Sequence, residues 1–355
     1  MQQYNKWVKI WLISGLVLIF FQVVIGGVTR LTGSGLSITK WEIVTGTLPP
    51  MNSKSWDREF ELYKATPQYK KINKGMTISE FKFIYFWEYF HRLWARWMFV
   101  IFAIPFAIFW RKGMLVPKVT RRLGVVFLLA GLAAVFGWVM VASGLVERPW
   151  VNAYKLSIHL LIAFACFSYL LWTAFIVFQG KRPRVNNPLA KKLFIGLAFM
   201  IVFQIFLGGM MSGMKAALSF PTWPSYNGVS VPEVLFYGEF WNVDNFTNYD
   251  ASGFMPALIQ FLHRNLAYVL IISGICLFVY YFKRINEPQF RIGNILLVTM
   301  LIIQSVLGIS TLLYTESTIP VGLGVLHQAG SLLLLTVVLW VLFVFYRDDY
   351  GKNES

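Results

Sequence analysis

Phe21-Gln22-Val23-Val24-Ile25-Gly26-Gly27 ends the first long apolar run of this chain, and Phe203-Gln204-Ile205-Phe206-Leu207-Gly208-Gly209 ends the fifth. The likeness continues outward. His91-Arg92-Leu93-Trp94-Ala95 in the second run answers to His263-Arg264-Asn265-Leu266-Ala267 in the sixth, and His159 in the fourth to His327 in the eighth. The offset between the halves shortens at each later pair, in steps that fall across loops, where insertions cost little. Each half holds an even number of apolar runs, so the repeats are parallel and related by an axis along the membrane normal. The pattern predicts an all-α membrane protein: eight transmembrane helices arranged as two four-helix bundles side by side. Residues 1–180 form the first half and 181–355 the second.

Composition supports the bilayer. Hydrophobic residues make up 57% and charged residues 14% of the chain, against roughly 25% charged in a soluble domain. A crossing helix needs about 20 apolar residues. Stretches of that kind run over Trp7–Val28, Phe83–Trp110, Leu123–Val146, Val151–Phe178, Leu193–Met214, Ala257–Phe282, Ile292–Leu313 and Val321–Phe345. The net charge of +16 sits in short basic runs between them, without a basic stripe interleaved with aromatics, which argues against nucleic acid. Arg111, Lys112, Lys118, Arg121 and Arg122 follow the second run; Lys181, Arg182, Arg184, Lys191 and Lys192 follow the fourth; Lys283, Arg284 and Arg291 follow the sixth. The positive-inside rule puts these loops, and both termini, in the cytoplasm. The loop with Glu233, Glu239, Asp244 and Asp250 then lies outside, as does the long loop from Thr29 to Lys82. The first run is too long for a signal peptide and lacks its cleavage site, and no Arg-rich transit segment precedes it. The expected location is a bacterial inner membrane. Cys166 and Cys276 sit singly in apolar runs and read as small buried hydrophobes.

The chain has four histidines, and each lies in an apolar run. On helices running from outside to inside, every imidazole falls ~9–12 Å below the outer edge of the hydrocarbon, at 1.5 Å per residue. Ionisable side chains are rare inside membranes and usually functional. Imidazole is an axial ligand of haem iron, which takes one on each face, so two histidines on different helices of one bundle can clamp a planar haem. Zinc fits poorly, because no cysteine and only one carboxylate, Glu88, shares that depth. Arg92 and Arg264 follow the histidines and are candidate contacts for haem propionates, or they snorkel to the headgroups. The Gly-Gly pairs suit close helix packing or a flat ligand.

A cytochrome that carries electrons across the bilayer usually has a histidine near each membrane face on two of its helices. Here each helix has one, and both sites lie toward the outer face, which suits chemistry on a haem that enters from the membrane. The halves differ at Glu88, whose counterpart is Gln260. Glu88 either pairs with Arg92 at i+4 or stands beside the substrate to take a proton or stabilise positive charge. The second reading makes the first half the reaction site and the second the holder of a permanent haem.

At these residues the chain resembles the haem A synthase family over essentially its whole length. The resemblance rests on Gly26-Gly27-Val28-Thr29-Arg30-Leu31-Thr32-Gly33-Ser34-Gly35-Leu36-Ser37, Phe81-Lys82-Phe83-Ile84, Glu88-Tyr89-Phe90-His91-Arg92, Met140-Val141-Ala142-Ser143-Gly144-Leu145 and the two later histidines. Trp41 and Pro49-Pro50 in the outer loop resemble the alphaproteobacterial and mitochondrial branch. The resemblance implies oxidation of a methyl group of haem O to the formyl of haem A. It also implies haem b on His263 and His327, substrate haem O between His91 and His159, and a catalytic Glu88. Another branch has a cysteine pair in the first outer loop; this chain has none, so a thiol mechanism does not apply. The implied partners are a haem O synthase as supplier and a haem–copper oxidase, or its assembly factors, as recipient. An electron donor of unspecified identity completes them, and a homo-oligomer is compatible with them. The runner-up reading is a b-type cytochrome that only transfers electrons.

Overall fold

A computed structural model describes residues 4–40, 47–146, 148–179 and 184–347. Trp41, Lys181 and Arg182 lie outside them. The described residues form α1 (Lys6–Leu31), α2 (Ser53–Lys64), α3 (Pro67–Lys71), α4 (Ile78–Arg111), α5 (Pro117–Gly144), α6 (Ala153–Phe178), α7 (Pro188–Gly213), α8 (Val243–Thr247), α9 (Phe254–Tyr281), α10 (Pro288–Leu313) and α11 (Val321–Phe343), with short 3-10 turns between them and no β-strand. Eight of these helices, α1, α4 to α7 and α9 to α11, are long and apolar enough to cross a membrane. The chain is a multi-pass membrane protein.

Several helices begin earlier than their apolar runs, and capping is the reason. Thr77 and Glu80 bond each other's backbone N–H groups in a capping box, which starts α4 five residues before Phe83. Pro117, Pro188 and Pro288 occupy first-turn positions, where the missing N–H costs nothing, and carry α5, α7 and α10 back beyond the apolar stretch.

The loop between α1 and α4 holds structure that the apolar pattern does not announce. Asn52 and Ser55 make a reciprocal cap for α2, and Phe60 and Tyr63 on that helix pack with Phe81, Ile84 and Tyr85 at the start of α4. Gln68 then ties this cap to the main bundle by donating to the carbonyl of Gly33 at 2.9 Å.

Among the long helices, α1 packs on α4 and α6, and α5 on α6; in the second half α7 packs on α9 and α11, and α10 on α11. The halves meet where α6 touches α7, α11 touches α1, and α6 touches α11. Lipid tails are as apolar as leucine, so association inside a membrane relies on close packing and hydrogen bonds rather than on water expulsion. Small residues supply the closeness. A Cβ on Gly213 would stand 2.6 Å from the Cα of Ala153, and one on Gly209 would stand 3.0 Å from the Cα of Ser157. Arg30, at the end of α1, donates to the carbonyls of Ser212 and Gly213 that end α7, and the Tyr249 hydroxyl accepts the Ala153 N–H at 2.8 Å.

Gly213→Ala therefore pushes a methyl into backbone that cannot rotate away. The expected cost is about 1–3 kcal/mol, the range for overpacking. It is read as a lower thermal unfolding midpoint in detergent, while Gly131→Ala, whose Cβ would meet nothing within 4 Å, should leave the midpoint unchanged.

Candidate functional site

Each of the four histidines projects from one long helix onto a glycine of a neighbouring one. A Cβ on Gly26 of α1 would stand 3.1 Å from His91 of α4, and one on Gly137 of α5 would stand 3.2 Å from His159 of α6. In the second half, a Cβ on Gly208 of α7 would stand 3.4 Å from His263 of α9, and one on Gly308 of α10 would stand 3.1 Å from His327 of α11. The glycine pairs thus serve two faces at once. Gly26 backs a histidine, while Gly27 lets Gln328 of α11 reach the carbonyl of Val23 at 2.9 Å.

In the second half the two imidazoles stand with ring centres 6.3 Å apart and planes crossed at 80°. Two metal–imidazole bonds of about 2.0–2.1 Å each, extended by the distance from nitrogen to ring centre on both sides, span roughly 6 Å. An iron atom fits between these rings. Nδ1 of His263 and Nδ1 of His327 are buried without a hydrogen-bond partner. His91 and His159 make no such ring contact among the described residues. The Nε2 of His91 instead lies 2.9 Å from the side-chain amide of Gln22, whereas the corresponding amide of Gln204 donates chiefly to the His263 carbonyl, at 2.9 Å.

Glu88 is buried, with 4% of its surface exposed, and its Oε1 accepts from Arg92 Nε at 2.6 Å. The i+4 ion pair is therefore present. Its other oxygen faces Gly35, where a Cβ would come within 3.9 Å of Oε2. Gln260, the counterpart, donates to the carbonyl of Phe220 at 2.8 Å, so a neutral amide is held by the same kind of outer turn that leaves Glu88 facing a glycine.

Both arginines reach outward and bind loop backbone. Arg92 donates to the carbonyls of Lys40 at 3.0 Å and Ile38 at 3.2 Å. Arg264 donates to those of Pro224 at 2.7 Å and Ser225 at 3.2 Å and lies over the Tyr226 ring, 3.9 Å from its centre. Nε and Nη1 of Arg264 remain buried without partners, which suits a guanidinium that receives a carboxylate as well.

The halves also differ in closure. α9 packs along α10, while the matching α4 and α5 meet mainly through Phe127, whose ring touches those of Phe99, Phe102 and Phe106. Gly26 and Gly208 were read from the sequence as suiting close packing or a flat ligand, whereas Gly137, Gly308 and the glutamine four residues before three of the four glycines were not singled out. Their signal lay in the Gln-x-x-x-Gly spacing shared by Gln22–Gly26 and Gln204–Gly208, repeated once more at Gln304–Gly308.

The family profile described as cytochrome oxidase assembly protein matches residues 9–339. The chain is 37% identical over 357 residues to a protein of Sinorhizobium medicae named heme A synthase, covering 99% of this chain and 93% of that one. It is 40% identical over 343 residues to the heme A synthase of Nitrosospira multiformis, covering 95% and 93%. A heme A synthase of Flavobacterium psychrophilum is 38% identical over 349 residues, covering 97% and 99%.

Arg264→Met keeps the length and apolar stem of the side chain but removes both bonds to the turn at Pro224 and Ser225. Hydrogen bonds from a charged donor are worth about 1.5–3 kcal/mol each. The turn should accordingly become a site of limited proteolysis that the parent protein resists; an unchanged cleavage pattern would mean that Tyr226 packing alone holds it.

Proposed function

This chain belongs to the family of the haem A synthases, and on that premise we propose how its residues convert haem O to haem A. The enzyme is an oxidoreductase of the membrane whose activity serves cytochrome oxidase assembly. The proposed division of labour gives residues 181–355 a resident haem b, held by His263 and His327, and gives residues 1–180 the substrate haem O, framed by His91 and His159. The observation that carries it is the contrast between the two histidine pairs. One is already set at 6.3 Å for an iron atom; the other has Nε2 of His91 turned to Gln22 and must rearrange around what it binds.

When bound, haem b supplies one-electron transfer beside the reaction site. The protein's own contribution is local. Arg92 bonds Glu88 at 2.6 Å, so the carboxyl group is aimed, and its other oxygen faces Gly35. A carboxylate so placed takes a proton from, or stabilises positive charge on, the methyl being oxidised. The looser junction of α4 with α5 supports entry of haem O sideways from the lipid, which its long isoprenoid tail favours. The repeated sequence motifs support a parallel-repeat arrangement, and the basic loops after the second, fourth and sixth spans support both termini in the cytoplasm and the histidines toward the outer face of a bacterial inner membrane. Haem O synthase as supplier, a haem–copper oxidase as recipient and assembly into homo-oligomers belong to the same reading.

Membranes expressing this chain with a haem O source should yield formylated haem on extraction; haem b alone would leave an electron carrier. His327→Ala should abolish the low-spin haem b spectrum of the purified protein, whereas His159→Ala should keep it and lose conversion.

Glu88→Gln makes the first half match the second at this position. Folding and resident haem should survive, since glutamine still hydrogen-bonds, while haem A formation falls about a hundredfold or more, the scale of a lost acid–base or electrostatic group. Near-normal haem A yield would reduce Glu88 to a structural partner of Arg92.

A further inference from the structure

All four histidines rest on glycines, and in three cases the same backbone atom faces the ring. The carbonyls of Ala133, Gln204 and Gln304 face the imidazoles of His159, His263 and His327. Each of these residues lies four before the glycine behind its histidine: Gly137, Gly208 and Gly308. In an α-helix the carbonyl of residue i−4 already accepts from the N–H of residue i. It keeps a second lone pair, which a Cβ at residue i would help to shield. With glycine there, a ring can lie against the helix and reach that oxygen. Nδ1 of all three histidines is buried and has no completed hydrogen bond.

We propose that Gly137, Gly208 and Gly308 are positioning residues for the haem-binding histidines. Each opens its helix so that the carbonyl one turn earlier accepts the Nδ1–H of the imidazole. The bond selects the tautomer whose Nε2 carries the lone pair available to iron, and it fixes the plane of the ring. Metal-bound histidines commonly donate their other N–H to such a carbonyl, which sets orientation and raises basicity. Here the acceptor is supplied by helix backbone through a missing side chain, three times in one chain. His91 is the exception. Gly26 admits its ring, but the residue four earlier, Gln22, meets Nε2 with its side chain at 2.9 Å, a contact that Gln204 makes with His263 Nε2 only at 3.4 Å. His91 thus starts with its iron-facing nitrogen engaged, and binding requires it to exchange Gln22 for the substrate.

The inference rests on the assignment of haem to these pairs, and the test separates the two. The full-length protein is purified with its resident haem, and the low-spin electron paramagnetic resonance signal and reduction potential are compared for the parent, Gly308→Ala and Gly131→Ala. Absence of low-spin haem in the parent would defeat the haem assignment itself. With that signal present, Gly308→Ala should shift the g values, raise the potential because the ligand becomes a weaker donor, and weaken haem retention about tenfold or more. Gly131→Ala, on the same type of helix with nothing near its Cβ, should match the parent in all three. A Gly308→Ala protein with the parent's signal and potential would overturn the proposal. Should that variant fail to accumulate, proton electron–nuclear double resonance on the parent decides. A hydrogen-bonded Nδ1 proton on both resident ligands supports the proposal, and free Nδ1 protons refute it.

Discussion

A polar group in hydrocarbon must find its partner inside the protein, and the arrangement of this chain follows from where those partners are. The long helices satisfy their own backbones. The polar side chains that remain within them are few, and several of them bind backbone of another helix or of a loop. Gln328 reaches the carbonyl of Val23, Arg30 the last carbonyls of α7, and Arg264 those of Pro224 and Ser225. Each bond is made to backbone that a glycine or a turn has left accessible. The same constraint explains why the histidines lie against glycines. An imidazole surrounded by aliphatic side chains would have no acceptor, whereas one laid on a bare stretch of helix has the carbonyl of the turn above.

In the proposed reading the sequence repeat supplies two copies of this solution, and the differences between them carry the chemistry. Both halves have Gln-x-x-x-Gly on the first helix and His-Arg on the second. The second half is the more tightly closed: α9 lies along α10, Gln260 is bonded to Phe220, and the histidine rings face each other. In the first half, a charge replaces the amide, a glycine faces the charge, and α4 stands away from α5 except around Phe127. A buried carboxylate is costly to hold unless paired, and removing one partner leaves the other exposed to that cost. Arg92 answers it by bonding Glu88 and the loop carbonyls of Ile38 and Lys40 together, so the acid is held from the cap above as well as from its own helix.

Much of this was legible before the structure. The helical class and the eight spans follow from apolar length, since a bilayer imposes one length on every span; the repeat and the pairing of histidines between halves are readings of spacing. The Glu88–Arg92 pair was one of two readings of an i+4 spacing, and it is formed. What spacing along one helix does not carry is the partner on another. The glycines at 137 and 308 are unremarkable within their own runs and gain meaning only beside His159 and His327. The outer cap escaped notice for a different reason. Trp56, Phe60 and Tyr63 follow a helical spacing behind an Asn52 cap, but on a short and strongly charged segment whose mean character is polar, so that periodicity was there and length was not.

The contrast between the pairs also fits what each half must do with its haem. A permanent cofactor gains from a site formed in advance, because little is lost in ordering the ligands when it binds. A substrate must leave as product, and a clamp equally tight for both would trap it; binding energy serves turnover only where it favours the transition state over the states on either side. In the proposed reading, His91 is bound to Gln22 before substrate arrives and can return to it afterwards. That competing bond weakens the grip on haem O and on haem A alike without touching Glu88. In the resident site the same competitor is weaker, since Gln204 spends its amide chiefly on the His263 carbonyl at 2.9 Å and stands 3.4 Å from the ring nitrogen. One glutamine, repeated in both halves, meets the imidazole nitrogen at 2.9 Å in the first and 3.4 Å in the second, and that difference in degree favours exchange at His91 over exchange at His263.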